Sequence, residues 1–283
     1  MPSVAQFVFA GAERLERGPH PERALQDAER LMMHVLGKDR AWMLAYWHDE
    51  IGVECTVAYR SVIERRREGE PIQYIVGETE FFGLPFRVTR DVLIPRPETE
   101  HVVERALALA RGLDGPRIVD VGTGSGAIAV ALASNLPKAS VTATDLSPAA
   151  LAVALENAAG NNVAHRIRFL GGDLLDPVRG EIFDMVVSNP PYVPESDREL
   201  LAVEVRDFEP ALALFADEDG MAIYRRLIPE AVAALCPGGW IVLEIGYGQQ
   251  GAVRALLGQS GFDEVDFVAD LQGIPRVACA RRR

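Results

Sequence analysis

The 283-residue chain reads as an α/β protein, a sheet of mostly parallel strands with helices on both faces, preceded by a small all-helical domain and a β-hairpin. Three observations predict this. From Arg117 onward, short apolar runs rich in Val and Ile alternate with longer stretches of helical spacing, the pattern of parallel strands joined by crossover helices. Ahead of Gly69 the apolar residues recur at helical spacing. Between Gly69 and Phe86 the texture changes to short β-prone runs separated by turn residues, which reads as a hairpin linking two domains.

Taken in order, Ala24, Leu25, Ala28, Leu31, Met32, Val35 and Leu36 share one helical face, with Pro21 at the start and Gly37 as the stop. Ala41–Trp47 and Ile51–Arg67 read as further helices. The second ends in Arg65-Arg66-Arg67, cations that complement the helix dipole and are expected to be a solvated end. Trp42, Tyr46 and Trp47 are expected in the core of this domain. The β-prone runs begin with Ile72, Tyr74 and Val76 and continue through Phe81-Phe82-Gly83-Leu84-Pro85-Phe86. Leu93-Ile94-Pro95-Arg96-Pro97-Glu98-Thr99-Glu100 is stiffened by prolines and runs into a helix from about Thr99 to Arg111. Its charges Arg96, Glu98 and Glu100 suit equally an active-site border and a helix N-terminus.

The expected strands are Ile118–Val121, Val141–Asp145, Ile167–Gly172, Phe183–Ser188, Trp240–Ile245, Val265–Val268 and Val277–Ala280. Helices are expected at Ala127–Asn135, Pro148–Ala159, Ala222–Leu235 and Gln249–Gln259. The last two strands, with Gly273 and Pro275 between them, are expected to pair as a hairpin and make one strand antiparallel.

Composition excludes several function classes. Net charge is −12, which disfavours direct binding to nucleic acid phosphates. Cys55, Cys236 and Cys279 are far apart and five histidines are scattered, so neither a disulfide framework nor a metal site is expected. No run approaches the roughly 18 apolar residues of a membrane span, and Met1–Ala12 lacks the basic residues of a leader. A cytoplasmic location is expected.

The chemistry gathers at strand ends. Asp120-Val121-Gly122-Thr123-Gly124-Ser125-Gly126 leaves the first of the parallel strands and opens a helix, so the backbone can approach a ligand closely at the helix's positive end. With Ala127 it satisfies the dinucleotide form G-x-G-x-x-G/A. Asp145, 23 residues beyond Gly122, ends the second strand, where it can accept both ribose hydroxyls of an adenosine. NAD and S-adenosylmethionine fit that spacing equally. Asp173 is placed to accept from an adenine amine and Leu174 to pack on its face.

The fourth strand decides between them. It ends in Asn189-Pro190-Pro191-Tyr192, a turn without N–H groups at either proline. The Asn189 side-chain oxygen and the Pro190 carbonyl can accept the two hydrogens of a planar nitrogen nucleophile, while Tyr192 offers a ring to stack on it. Hydride transfer would need a proton relay there, which a Pro-Pro turn supplies poorly.

At these residues the chain resembles the S-adenosylmethionine-dependent methyltransferases with an N-P-P-Y motif, and among them the protein-(glutamine-N5) methyltransferases of class I peptide chain release factors. The resemblance extends through Arg65-Arg66-Arg67-Glu68-Gly69-Glu70-Pro71-Ile72, Leu93 to Glu100, Val119 to Gly126, Ser188 to Val193 and Gly273-Ile274-Pro275-Arg276. It implies a Rossmann-like seven-stranded methyltransferase domain over 96–283, a hairpin linker over 71–95 and a helical substrate-docking domain over 1–70. The cofactor would be S-adenosyl-L-methionine, with Gly122, Thr123, Gly124, Ser125, Gly126, Asp145, Asp173, Leu174 and Asn189 binding it. Asn189, Pro190, Pro191 and Tyr192 would bind the glutamine, with Asn189, Pro190 and Tyr192 as the catalytic set, in a protein that acts as a monomer. Many family members carry an aromatic residue at the position of Leu174. Two other substrates share parts of the pattern: a ribosomal protein glutamine, and an amino group in DNA. A DNA enzyme calls for a basic recognition region, whereas residues 1–94 hold 12 Lys and Arg against 15 Asp and Glu.

Overall fold

The computed structural model describes residues 2–283. They form two compact units, one reaching Gly77 and taking in Leu201–Phe208, the other comprising Glu78–Leu200 and Glu209–Arg283.

The helical unit begins with α1 (Val4–Leu15), a helix not among those expected. A capping box starts it: the Ser3 side chain accepts from the Gln6 N–H while the Gln6 side chain accepts from Ser3 N–H. Its buried face, Val4, Phe7, Val8 and Leu15, packs with α2 (Ala24–Leu36), where Ala28, Leu31 and Met32 are fully buried. Gly37 ends α2 in the left-handed conformation. Asp39 caps α3 (Arg40–Ala45), and α4 (Val53–Arg67) contributes Tyr59, whose hydroxyl donates to the Ala28 carbonyl at 3.1 Å inside the core.

Three readings are corrected here. Ile72–Val76 is a short helix, α5, because Ile72 and Ile75 turn one face into the core at helical spacing, outweighing their β propensity. Trp42 and Tyr46 do not join the core; they stack on each other at 4.5 Å, Tyr46 is exposed, and only Trp47 packs against the cluster. Arg66 is not solvated: it is 3 % exposed and bonds Asp27, Glu204 and the Glu70 carbonyl. Glu204 lies on the short helix Val203–Phe208.

The second unit opens with the hairpin β1 (Glu78–Phe81) and β2 (Leu84–Arg87). There follow α6 (Glu100–Ala110), β3 (Arg117–Val121), α7 (Ala127–Asn135), β4 (Ser140–Asp145), α8 (Pro148–Gly160), β5 (Ile167–Gly171) and β6 (Phe183–Ser188). With Val203–Phe208 counted as α9, the chain continues through α10 (Ala211–Leu214), α11 (Ala222–Ala234), β7 (Leu235–Glu244), α12 (Gln250–Gln259), β8 (Phe262–Ala269) and β9 (Pro275–Arg282). The seven strands from β3 onward form one sheet, ordered β5-β4-β3-β6-β7-β9-β8. β3 to β7 are parallel, and β9 runs antiparallel between β7 and β8. The single reversed strand thus matches the expected hairpin. Apolar layers cover both faces, one built on α6 and α7, the other on α11 and α12.

The strand order reverses between β3 and β6, the position where open α/β sheets bind ligands. Register does the rest. Val121 pairs with Ser188 and with Thr144, and Asp145 pairs with Gly171. The segments starting at Gly122, Asp145, Gly172 and Asn189 therefore leave one edge of the sheet side by side.

Candidate active site

A cleft at that edge, lying wholly within the second unit, is lined by Gly122 to Ser125, by Asp145 and Leu146, by Asp173 and Leu174, and by Ser188 to Pro191. Residues distant in the chain are gathered there by strand register.

The glycine loop is held in a form that needs glycine. Gly122, Gly124 and Gly126 have φ of 70°, 55° and 81°, the left-handed region that side chains disfavour. At Gly126 space is limiting too, since a Cβ would lie 3.1 Å from that of Ala154. The N–H groups of Gly122 and Thr123 donate to the Thr144 carbonyl at 2.9 and 3.0 Å. Asn157, which the sequence reading did not single out, braces the loop from behind: its amide donates to the carbonyls of Ser125 and Arg87 and its oxygen accepts from Arg87 N–H. An Asn inside the last turn of an otherwise largely apolar helix is the available signal.

Asp120, the last residue but one of β3, is fully buried. One carboxylate oxygen accepts from the Thr123 hydroxyl at 2.6 Å and the Ala129 N–H at 3.2 Å, and the other has no partner among the described residues. Burial pushes its pKa up to about 7, against the pull of those two donors. The folded state therefore holds a proton on Asp120 between about pH 4 and 7 that the unfolded chain has released, so this group makes stability fall as pH rises through that window. Asp120→Asn should flatten that fall by up to about 4 kcal/mol. Urea midpoints of the two proteins at pH 4.5 and 8 measure it; equal differences at both pH values would refute the assignment.

Asp145 accepts from Gly124 N–H and from Ser147 N–H, both at 2.8 Å, one on each oxygen. Each oxygen keeps a second lone pair for a hydroxyl. Asp173 lines the cleft, but its carboxylate is paired with Arg226 on the exposed side. Leu174 is held at φ 46° and its carbonyl accepts from the Thr144 hydroxyl at 2.9 Å.

At the other end of the cleft, Asn189 Nδ2 donates to Thr99 Oγ1 at 3.0 Å. Thr99 donates in turn to Glu244 Oε2 at 2.6 Å, and the Tyr192 hydroxyl donates to Glu244 Oε1 at 3.1 Å. Glu244 is 2 % exposed. Burial raises its pKa, opposed by the hydroxyls of Thr99 and Tyr192. Pro190 and Pro191 line the cleft, whereas Tyr192 does not. The Tyr192 ring packs against the core and its carbonyl accepts from Gln249 Nε2 at 3.0 Å. The expectation of a stacking ring on the nucleophile is therefore corrected: the phenol is turned inward by a buried acceptor that nothing near it in sequence announces. Among the charges of the preceding segment, Arg96 pairs with buried Glu209 and Glu100 accepts from Phe82 N–H. It is uncharged Thr99 that reaches the site.

The matching families agree with this architecture. The PrmC N-terminal domain model matches residues 10–77 and the Methyltransferase small domain model matches residues 105–207. A release factor glutamine methyltransferase from Koribacter versatilis is 43% identical over 281 residues, covering 99% of each chain. Its counterpart from Bordetella pertussis is 46% identical over 253 residues, covering 89% of this chain and 93% of that one. The chain belongs to the release factor glutamine methyltransferase family. Among solved structures, a methyltransferase from Pyrococcus furiosus matches with a TM-score of 0.51 at 20% identity, covering 71% of this chain and 90% of that one. The N-terminal domain of human METTL16, solved in complex with SAH, matches equally at 0.51 and 20% identity over 70% of this chain and 76% of that one. Both show the methyltransferase fold. Members of this family use S-adenosyl-L-methionine, and the cleft fits it: a glycine loop at a helix N-terminus, a carboxylate with spare lone pairs, and an apolar wall at Leu146 and Leu174 are the parts that a charged amino acid, a ribose and a purine require. No helix among the described residues is long and apolar enough to cross a membrane.

Proposed function

We propose that this chain transfers the methyl group of S-adenosyl-L-methionine to the side-chain amide nitrogen of the glutamine in the Gly-Gly-Gln motif of class I peptide chain release factors, in the cytoplasm. The observation that carries the reading is the adjacency of Asn189-Pro190-Pro191 to the glycine loop, set by the pairing of Val121 with Ser188. Kinship over nearly the full length with enzymes of that name supports the substrate. The match of residues 10–77 to the PrmC N-terminal domain supports a docking role for the helical unit.

An amide nitrogen is a weak nucleophile because its lone pair is delocalised into the carbonyl, the same resonance that sets a rotation barrier of ~18–20 kcal/mol in peptides. When bound, the cofactor supplies an electrophilic methyl group on a sulfonium. The protein's task is to present the nitrogen. The Asn189 side-chain oxygen and the Pro190 carbonyl accept the two amide hydrogens, which turns the lone pair toward the cofactor end of the cleft and favours a pyramidal nitrogen. Orientation of this kind is worth roughly 7–11 kcal/mol. Acceptors aimed at the positive charge developing on nitrogen add to it. Gly122 to Gly126, Asp145, Asp173 and Leu174 hold the cofactor, Asp173 through its backbone since its carboxylate is engaged by Arg226.

Two measurements test this reading. Tritiated methyl groups should pass to a release factor with its Gly-Gly-Gln intact and not to one in which that glutamine is replaced; equal labelling of both, or labelling of a ribosomal protein instead, overturns it. Asp145→Ala should raise the S-adenosylmethionine dissociation constant roughly 10- to 100-fold, from the loss of charge-assisted bonds of about 1.5–3 kcal/mol, while turnover at saturating cofactor changes little. Calorimetric titration showing unaltered affinity would remove Asp145 from the site.

A further inference from the structure

Thr99 ends the 3-10 turn Pro97–Thr99, which runs directly into α6, so its backbone is already helical (φ −67°, ψ −20°) and its hydroxyl caps no first-turn N–H. The side chain is 4 % exposed and its oxygen is shared between Glu244 and Asn189. Its hydroxyl is committed instead to a contact with Asn189, 90 residues away in sequence.

The direction of the hydrogen bonds follows from the far end. Glu244 receives one hydroxyl on each carboxylate oxygen, Thr99 on Oε2 and Tyr192 on Oε1. Its position is fixed further by the Tyr224 hydroxyl, which donates to the Glu244 backbone carbonyl at 2.8 Å. A threonine hydroxyl has a single proton. An ionised Glu244 can only accept, so Thr99 gives it that proton; Thr99 Oγ1 then only accepts from Asn189, and the Asn189 amide turns its NH2 inward. Its oxygen is then the end left to meet a substrate amide. An isolated asparagine would present either end, and the NH2 end would face the substrate's own NH2 hydrogens with donors.

We infer that Thr99 and Glu244 are positioning residues: together they select the one of two side-chain amide orientations of Asn189 that can accept from the glutamine nitrogen. The inference rests on the proposed role of Asn189 and deepens it.

Thr99→Val keeps the shape of the side chain and removes the hydroxyl; Thr99→Ser keeps the hydroxyl. With a release factor as substrate, Thr99→Val should lower kcat about 10- to 100-fold, the scale of misplacing a reacting group by about an ångström. Its S-adenosylmethionine dissociation constant should stay near that of the unaltered protein, its melting temperature should fall because buried Glu244 Oε2 loses its donor, and Thr99→Ser should retain both that stability and kcat within about threefold. A readout independent of turnover is the side-chain 15N–1H2 signal of Asn189 in the cofactor-free protein. It should show slowed hydrogen exchange in the unaltered protein and in Thr99→Ser, and fast exchange in Thr99→Val. Asn189→Ala serves as the control. If it is inactive while Thr99→Val turns over normally, the positioning role is wrong and the reading of Asn189 stands. Normal turnover by Asn189→Ala overturns both. Equal loss in Thr99→Val and Thr99→Ser, or unchanged exchange of the Asn189 amide in Thr99→Val, overturns the positioning role.

Discussion

Asn189→Ala should reduce methyl transfer to a release factor by on the order of 1,000-fold, the cost of deleting one preorganised group aimed at developing charge, while S-adenosylmethionine affinity changes by less than about fivefold. The two effects separate because the groups that hold the cofactor belong to other strands: the glycine loop after β3, Asp145 at the end of β4 and Leu174 after β5. Alanine removes the acceptor for the substrate amide and the donor to Thr99 together. The surrounding backbone stays put, since Ser188 still donates to the Val121 carbonyl at 2.6 Å and Gln249 still holds the Tyr192 carbonyl. Single-turnover transfer with cofactor titrated independently checks the split. Near-normal turnover would falsify the role given to the motif.

What could be read from the sequence divides along a physical line. Strands β3 to β6 and the helices between them were legible because each is a local pattern closed by a glycine or a proline, and their parallel pairing follows from the alternation. Gly122, Asp145 and Asn189 stand at strand ends, so the topology alone brings them to one cleft. The partners of those residues were not legible. Thr99 meets Glu244 across 145 positions, and Arg66 meets Glu204 across 138. Periodicity carries no trace of such contacts. Residue type is a poor guide to exposure at two places: a buried carboxylate claims the Tyr192 hydroxyl and turns it inward, and the middle member of the arginine triplet is buried.

That middle arginine supports the prediction with the largest effect on stability. Arg66→Ala should destabilise the helical unit by about 3–5 kcal/mol, because removing one partner of a buried ion pair leaves the other charge uncompensated. Arg66 Nε bonds Asp27 Oδ2 at 2.6 Å, and Nη1 is shared between Glu204 Oε2 and the Glu70 carbonyl, both at 3.0 Å. Asp27 is 8 % exposed, so water cannot readily replace the lost guanidinium, whereas Glu204 is more open and loses less. The flanking arginines cannot stand in: Arg65 is committed to Glu70 and Arg67 to Glu64. Lysine should rescue poorly, as a point charge cannot donate in the two directions the planar guanidinium serves. If charge rather than volume is the cause, pairing Arg66→Met with Asp27→Leu should recover much of the loss, since exchanging both members of a buried pair for apolar residues is often close to neutral. Denaturant unfolding of the four proteins, followed by tryptophan fluorescence from Trp42 and Trp47 of the helical unit, distinguishes the cases. An unchanged midpoint for Arg66→Ala, or a double variant no better than the single, would show that these bonds contribute little beyond the packing around them.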